Sequence, residues 1–260
     1  MAETCQLVTQ GTEHSGSMRT PLANMDTLLL APKLRQGLCS HRSAKPVALK
    51  EMNSGSRHEA QLRDPLSARP APYVGGCNQT NLVVSGISMT LRPGVYCGGL
   101  KITQGANVRL APGEYIIKDG SLWVDGGASL SGSYVGFYLT GNASTIRFAA
   151  QSTISLSAPR DGALASLLFF EDRAAPVGRR HLISSDDARL LLGTIYLPNG
   201  RLRVDANKPV ADQSAYTIIV ARWMELDAGP NLIMNSSYGA TDVPVPNNIG
   251  VVGTQVQLSE

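Results

Sequence analysis

A chain of 260 residues with 43% hydrophobic content is long enough for one or two domains with a true core. Only 5% of it is aromatic and 17% charged, against 26 Gly and 15 Pro, a punctuation that suits short strands and turns and weighs against a coiled coil or helical bundle. The net charge of +3 comes from arginines scattered singly, with no basic-aromatic strip in the sequence, which sets a nucleic-acid partner aside.

The opening Met1-Ala2-Glu3-Thr4-Cys5 lacks the charged and apolar regions of a secretory signal. No apolar run reaches the roughly 18–20 residues needed to cross a bilayer, so no membrane span is expected in this chain. Residues 1–63 read as an irregular N-terminal segment or cap. An apolar cluster, Leu28-Leu29-Leu30-Ala31, is followed by a basic stretch from Lys45 to Arg63 with neither helical nor strand period. Asp64 to Pro72 is proline-dense and held extended, making residues 64–80 a connector.

The four cysteines, Cys5, Cys39, Cys77 and Cys97, show no C-x-x-C spacing and no interleaved His, so disulfides are preferred over a metal site. Of the three possible pairings, that of neighbours is favoured, Cys77 with Cys97 and Cys5 with Cys39. Four buried free thiols are the alternative.

From Asn81 onward the sequence repeats. Ile87-x-Met89-x-Leu91 followed by Pro93-Gly94-Val95-Tyr96 is answered by Ala106-x-Val108-x-Leu110 followed by Pro112-Gly113-Glu114-Tyr115. A second series runs Leu82-x-Val84, Leu100-x-Ile102, Leu122-x-Val124, Ile146-x-Phe148 and Leu202-x-Val204. Short period-2 segments recurring at about 18–24 residues fit the coils of a parallel β-helix, in which each strand pairs with its equivalent one coil later. The expected fold is an all-β, right-handed parallel β-helix over residues 81–246, with 247–260 as a C-terminal tail or cap. Seven or eight coils would make a rod about 35 Å long. An irregular β-sandwich is the alternative.

The runs Leu91 to Ile102, Leu110 to Gly120, Gly136 to Gly141, Gly193 to Gly200 and Asn235 to Pro246 together resemble the C-terminal region of tight-adherence pilus proteins of the TadG kind. The resemblance covers residues 64–246. It implies an envelope-anchored bacterial protein whose β-rich part faces the periplasm or cell surface, with pilus-assembly or other envelope proteins as partners. The family's N-terminal membrane helix and preceding Tad segment have no counterpart here, and residues 14–63 lack the family's Gly/Asn/Ala repeats.

Parallel β-helices also host polysaccharide lyases and hydrolases, which need clustered carboxylates or a calcium ion. The acidic candidates are Glu171, Asp172, Asp186 and Asp187. Adjacent acids on a strand point to opposite faces, Asp186-Asp187 suits a turn between Ile183 and Leu190, and Glu171-Asp172 reads as a solvated loop opening toward Arg179-Arg180-His181. No nucleophile elbow, phosphate loop or calcium nonapeptide is present, and no cofactor is expected. Trp123 and Trp223 are candidate platforms for sugar rings, with half-burial against the next coil as the plainer reading. Two functions remain: a non-catalytic, adhesive surface module with envelope proteins or surface glycans as partners, or a carbohydrate-active β-helix.

Overall fold

The computed structural model describes residues 64–227, 231–247 and 249, together with the backbone of the short strand β1 (Leu28–Leu30). Cys5 and Cys39, and with them their expected pairing, lie outside the described residues, as does all but Asn247 and Ile249 of the tail at 247–260.

The chain winds into a solenoid of about seven coils. The first holds β2 (Gln79–Ser85) and β3 (Ser88–Leu91), and the second β4 (Gly94–Thr103) and β5 (Asn107–Leu110). The third is β6 (Gly113–Lys118), β7 (Leu122–Val124) and β8 (Ser129–Gly132), and the fourth β9 (Val135–Thr140), β10 (Ile146–Phe148) and β11 (Thr153–Ser157). The fifth joins β12 (Leu167–Glu171) and β13 (Arg180–Ile183) to the start of β14 (Asp187–Val204), which bends through the sixth; β15 (Thr217–Leu226) opens the seventh. The strands β2 to β15 pair in parallel from coil to coil, as the repeat requires, and this excludes the sandwich.

Three faces result. The first stacks β3, β5, β8, β11 and the start of β14. The second stacks the start of β4 with β6, β9, β12, the middle of β14 and the start of β15. The third stacks the ends of β2 and β4 with β7, β10, β13 and the ends of β14 and β15. Alternation sends every second side chain inward, so register turns the sequence series into core columns. Leu82, Leu100, Leu122 and Ile146 form one such column, continued by His181, Leu202 and Met224. The sequence series skips the fifth coil because His181 stands where its neighbours have Leu or Ile.

On the second face the inward column is aromatic. Tyr96, Tyr115, Phe137 and Phe169 follow one another with ring centroids 5.9, 5.6 and 5.2 Å apart, the middle pair tilted and the other two stacked, contacts favoured beyond simple burial. The tyrosines also hold the corners. Tyr96 Oη donates to the Arg92 carbonyl at 2.6 Å and Tyr115 Oη to the Ala111 carbonyl at 2.7 Å, so each Pro-Gly-x-Tyr turn is tied by its own tyrosine. The backbone register differs from the motif alignment by two residues, Gly94 pairing with Tyr115 rather than Gly113. A Cβ on Gly113, at φ +136°, would lie 2.5 Å from Pro93 Cγ of the coil before it. Glycine is therefore required by the proline stacked against it.

Cys77 and Cys97 are joined with Cα atoms 5.7 Å apart, tying the entry of the chain to the second coil. The connector ahead of it does not run free. The outward side of the second face carries Tyr138, Phe170 and Tyr196 on consecutive coils, all buried, and Leu66 and Pro72 of the connector are buried too. Arg173 holds this clasp: it donates to Asp64 Oδ2 at 3.1 Å, to Tyr196 Oη at 3.0 Å and to the Leu66 and Arg69 carbonyls. Arg69 in turn donates to the Ala163 and Ala165 carbonyls. The segment read as irregular also contributes structure, since β1 pairs antiparallel with β15, Leu29 opposite Val220. Its apolar residues supply a short strand at the solenoid's last coil.

Gly113→Ala should destabilise the solenoid by about 2 kcal/mol through overpacking and strain, while Gly127→Ala, with nothing within 4 Å of its Cβ but φ +73°, should cost about 1 kcal/mol. Cys97→Ser should cost about 3 kcal/mol. Denaturant midpoints of the three variants against the parent check this order.

Candidate functional site

Glu171 is the last residue of β12 and, two positions after inward Phe169, faces the core. Its column neighbour below is Leu139. The structure corrects the expectation of a solvated loop: the Glu171 side chain is 0% exposed and that of Arg179 5%. Arg179 donates to Glu171 Oε1 through Nε at 3.1 Å and through Nη2 at 3.0 Å, and to the Gly141 carbonyl at 2.8 Å. Glu171 Oε2 accepts the Asn199 N–H at 2.9 Å. His181 Nδ1 accepts the Ile146 N–H at 3.3 Å, which leaves Nε2 to carry the proton and donate to Glu171 Oε1 at 3.1 Å. Gly200 admits the imidazole, because a Cβ there would lie 2.8 Å from it. The cluster is a closed polar knot inside the fifth coil, with each charged group paired and hydrogen-bonded as burial demands.

Asp172, the next residue, faces outward and is partnered separately. It accepts Thr140 Oγ1 at 2.7 Å and the Ala174 N–H at 2.9 Å. Burial works to raise its carboxyl, but these hydrogen bonds, with the Tyr138 hydroxyl and the Arg179 charge, hold it below the ordinary value. Asp186 lies in a turn, as the sequence leads one to expect, and accepts the Asn207 N–H at 2.7 Å; Asp187 opens β14 and accepts Thr153 Oγ1 at 3.0 Å. These two border an open groove of about 540 Å³ with Arg189 and Lys208. The four candidate acids thus fall at two different corners, one pair straddling the edge of the second face and the other at the start of the first face. Among the described residues no group of three His, Cys, Asp or Glu is arranged to hold a metal ion.

Both tryptophans lie on the third face. Backbone pairing sets Val83, Lys101, Trp123, Arg147, Leu182, Arg203 and Glu225 in one outward row. Arg180, Arg201 and Trp223 form a second row beside it. Lys101 Nζ lies 4.0 Å from the Trp123 ring centroid and the Arg147 guanidinium 5.2 Å; Arg222 and Arg201 lie 4.9 and 5.6 Å from the Trp223 ring. Both indoles are therefore half-buried among cations from their own and adjacent coils, in cation–π contact. This basic-aromatic strip corrects the reading of scattered arginines. Its signal is present in the sequence as Lys101, Trp123, Arg147 and Arg203, the middle residues of four Leu-x-Val-type triplets, but only the stacking of coils brings those residues together.

In comparisons with protein-family models, with curated proteins and with solved structures, the chain has no match.

Arg179→Met strands the buried Glu171 carboxylate and should destabilise the solenoid by about 3–5 kcal/mol. Because the Asp172 carboxyl sits below the ordinary 3.8 when folded, its stabilising contribution is complete above that value and lost as pH falls through the folded-state pKa. Asp172→Asn should accordingly lower stability at pH 7 and shrink the loss on acidification. Urea midpoints at neutral and acid pH measure both.

Proposed function

We propose that this chain is a non-catalytic β-solenoid module of the bacterial envelope, facing the periplasm or cell surface, that works by presenting extended faces to a partner. The observation that carries the reading is the third face. There the coil register sets outward side chains in continuous rows, while the acids a polysaccharide-cleaving enzyme would need are split between corners and occupied with structural hydrogen bonds. The Cys77–Cys97 disulfide supports an oxidising, extracytoplasmic compartment. Among the described residues no helix is long and apolar enough to cross a membrane. The resemblance to tight-adherence pilus proteins favours pilus-assembly or other envelope proteins as partners and attachment as the process served.

A carbohydrate-active role is the second reading. The groove bordered by Asp186, Asp187, Arg189 and Lys208 is where it would reside, since it sets two carboxylates beside two cations at a solvent-open corner. Incubating the purified chain with pectate or alginate distinguishes the two readings. The expected result is no release of unsaturated or reducing oligosaccharides. Release that Asp187→Ala abolishes would replace the adhesive module with an enzyme.

A further inference from the structure

The third face has an order along the solenoid axis as well as across it. From Val83 its main outward row reads Lys101, Trp123, Arg147, Leu182 and Arg203 before it ends on Glu225, so over six coils cations alternate with apolar side chains. With strands about 4.8 Å apart, successive cations in the row recur at about 10 Å, comparable to the length of two extended pyranose units. The intervening Leu182 and the part of the Trp123 ring left open beside Lys101 and Arg147 offer apolar surface of the kind that packs against a sugar.

Charge is not spent uniformly along the row. Lys101 is paired with Asp125 at 3.5 Å, Arg201 with Glu225 at 3.1 Å, and Arg203 with Asp205 and Asp227 at 3.1 and 2.7 Å. Arg147 and Arg180 are exposed and lie on adjacent coils. Among the described residues neither has a carboxylate partner. They form the centre of the strip, where an incoming anion displaces no existing ion pair and where two guanidinium groups can share one carboxylate.

We propose that this strip binds a linear acidic polysaccharide in which a uronic acid alternates with a neutral sugar, lying along the solenoid axis. A uronate carboxylate sits between the unpaired Arg147 and Arg180, and the flanking neutral sugars lie against Leu182 and the open part of Trp123, with the ion-paired Lys101 and Arg203 marking the ends of the subsite. A nucleic acid fits less well, because its phosphates are more closely spaced than one cation per two coils and demand a denser basic groove. The proposal rests on the reading of the chain as a surface-binding module and gives that module a ligand class.

The test is calorimetric titration of the purified chain with a hyaluronan decasaccharide, in which uronate and neutral sugar alternate. N-acetylchitohexaose, a polymannuronate oligomer and oligo-dT serve as comparisons. Expected is binding to the alternating polymer that weakens as salt is raised, falls about tenfold in Arg147→Ala/Arg180→Ala, and is unchanged in Arg109→Ala, an exposed basic residue of the first face. Unaltered circular dichroism confirms that the double variant is folded, and Arg180→Glu provides an independent reversal of charge at the same spot. Absence of binding, equal binding to the neutral hexamer, or tighter binding to polymannuronate or oligo-dT overturns the proposal. Failure here is separable from failure of the functional reading: shortening of hyaluronan by the chain removes the non-catalytic reading but leaves the strip, whereas solenoid-dependent cell attachment that survives Arg147→Ala/Arg180→Ala removes the strip alone.

Discussion

Parallel hydrogen bonding between equivalent strands of successive coils is the constraint on which this molecule depends. Once a strand is paired to the coil before it, every second side chain is committed to the interior and its position in a column is set. The interior is then a set of stacks rather than a centre. Tyr115, Phe137 and Phe169 stand over one another because their strands do, with the Tyr96 ring reaching Tyr115 from a residue paired to Ile117, and the Leu and Ile columns follow the same rule. Stacking at this close spacing also explains the demand for glycine at Gly113, where the proline of one coil occupies the volume a Cβ in the next would need.

Against that regularity the fifth coil stands apart. It places Glu171 and His181 in columns otherwise filled by hydrophobic side chains, and supplies Arg179 from the loop between β12 and β13 to close the knot. Such a cluster gains little stability over a packed apolar one, but removing Arg179 is costly because the Glu171 carboxylate stays buried without its charge partner. A coil carrying it tolerates neither a register slip nor an apolar neighbour's place in the stack, which is the kind of specificity that identical aliphatic coils lack. The same coil carries Arg173, which fastens the proline-rich connector over the outward aromatics of the second face. Polar residues from one coil thus anchor the core on one side of the sheet and the connector on the other.

The outer surfaces obey the same register as the core. A side chain repeated at the middle of a short triplet becomes a row when the triplets stack, and residues some twenty positions apart become neighbours separated by one strand spacing. Charge that is sparse in sequence is concentrated by this geometry onto one face, where tryptophan rings and guanidinium groups lie in contact. A solenoid can in this way build an extended binding surface without any loop or cleft.

The alternating triplets and Pro-Gly-x-Tyr turns by themselves determined the parallel coiled fold, its strand series from Leu82-x-Val84 onward, and the Cys77–Cys97 link, because each is written in local period and spacing. The turn at Asp186 was legible for the same reason. What the tertiary structure alone decided is where polar residues go. Glu171 looks like a loop acid from its neighbours Asp172 and Arg173, yet parity with Phe169 sends it inward, and parity is fixed only when β12 pairs with β9. Lys101, Trp123 and Arg147 look like isolated residues for the same reason: their contacts are made across coils, and a one-residue shift of register would turn each of them to the other side of the sheet.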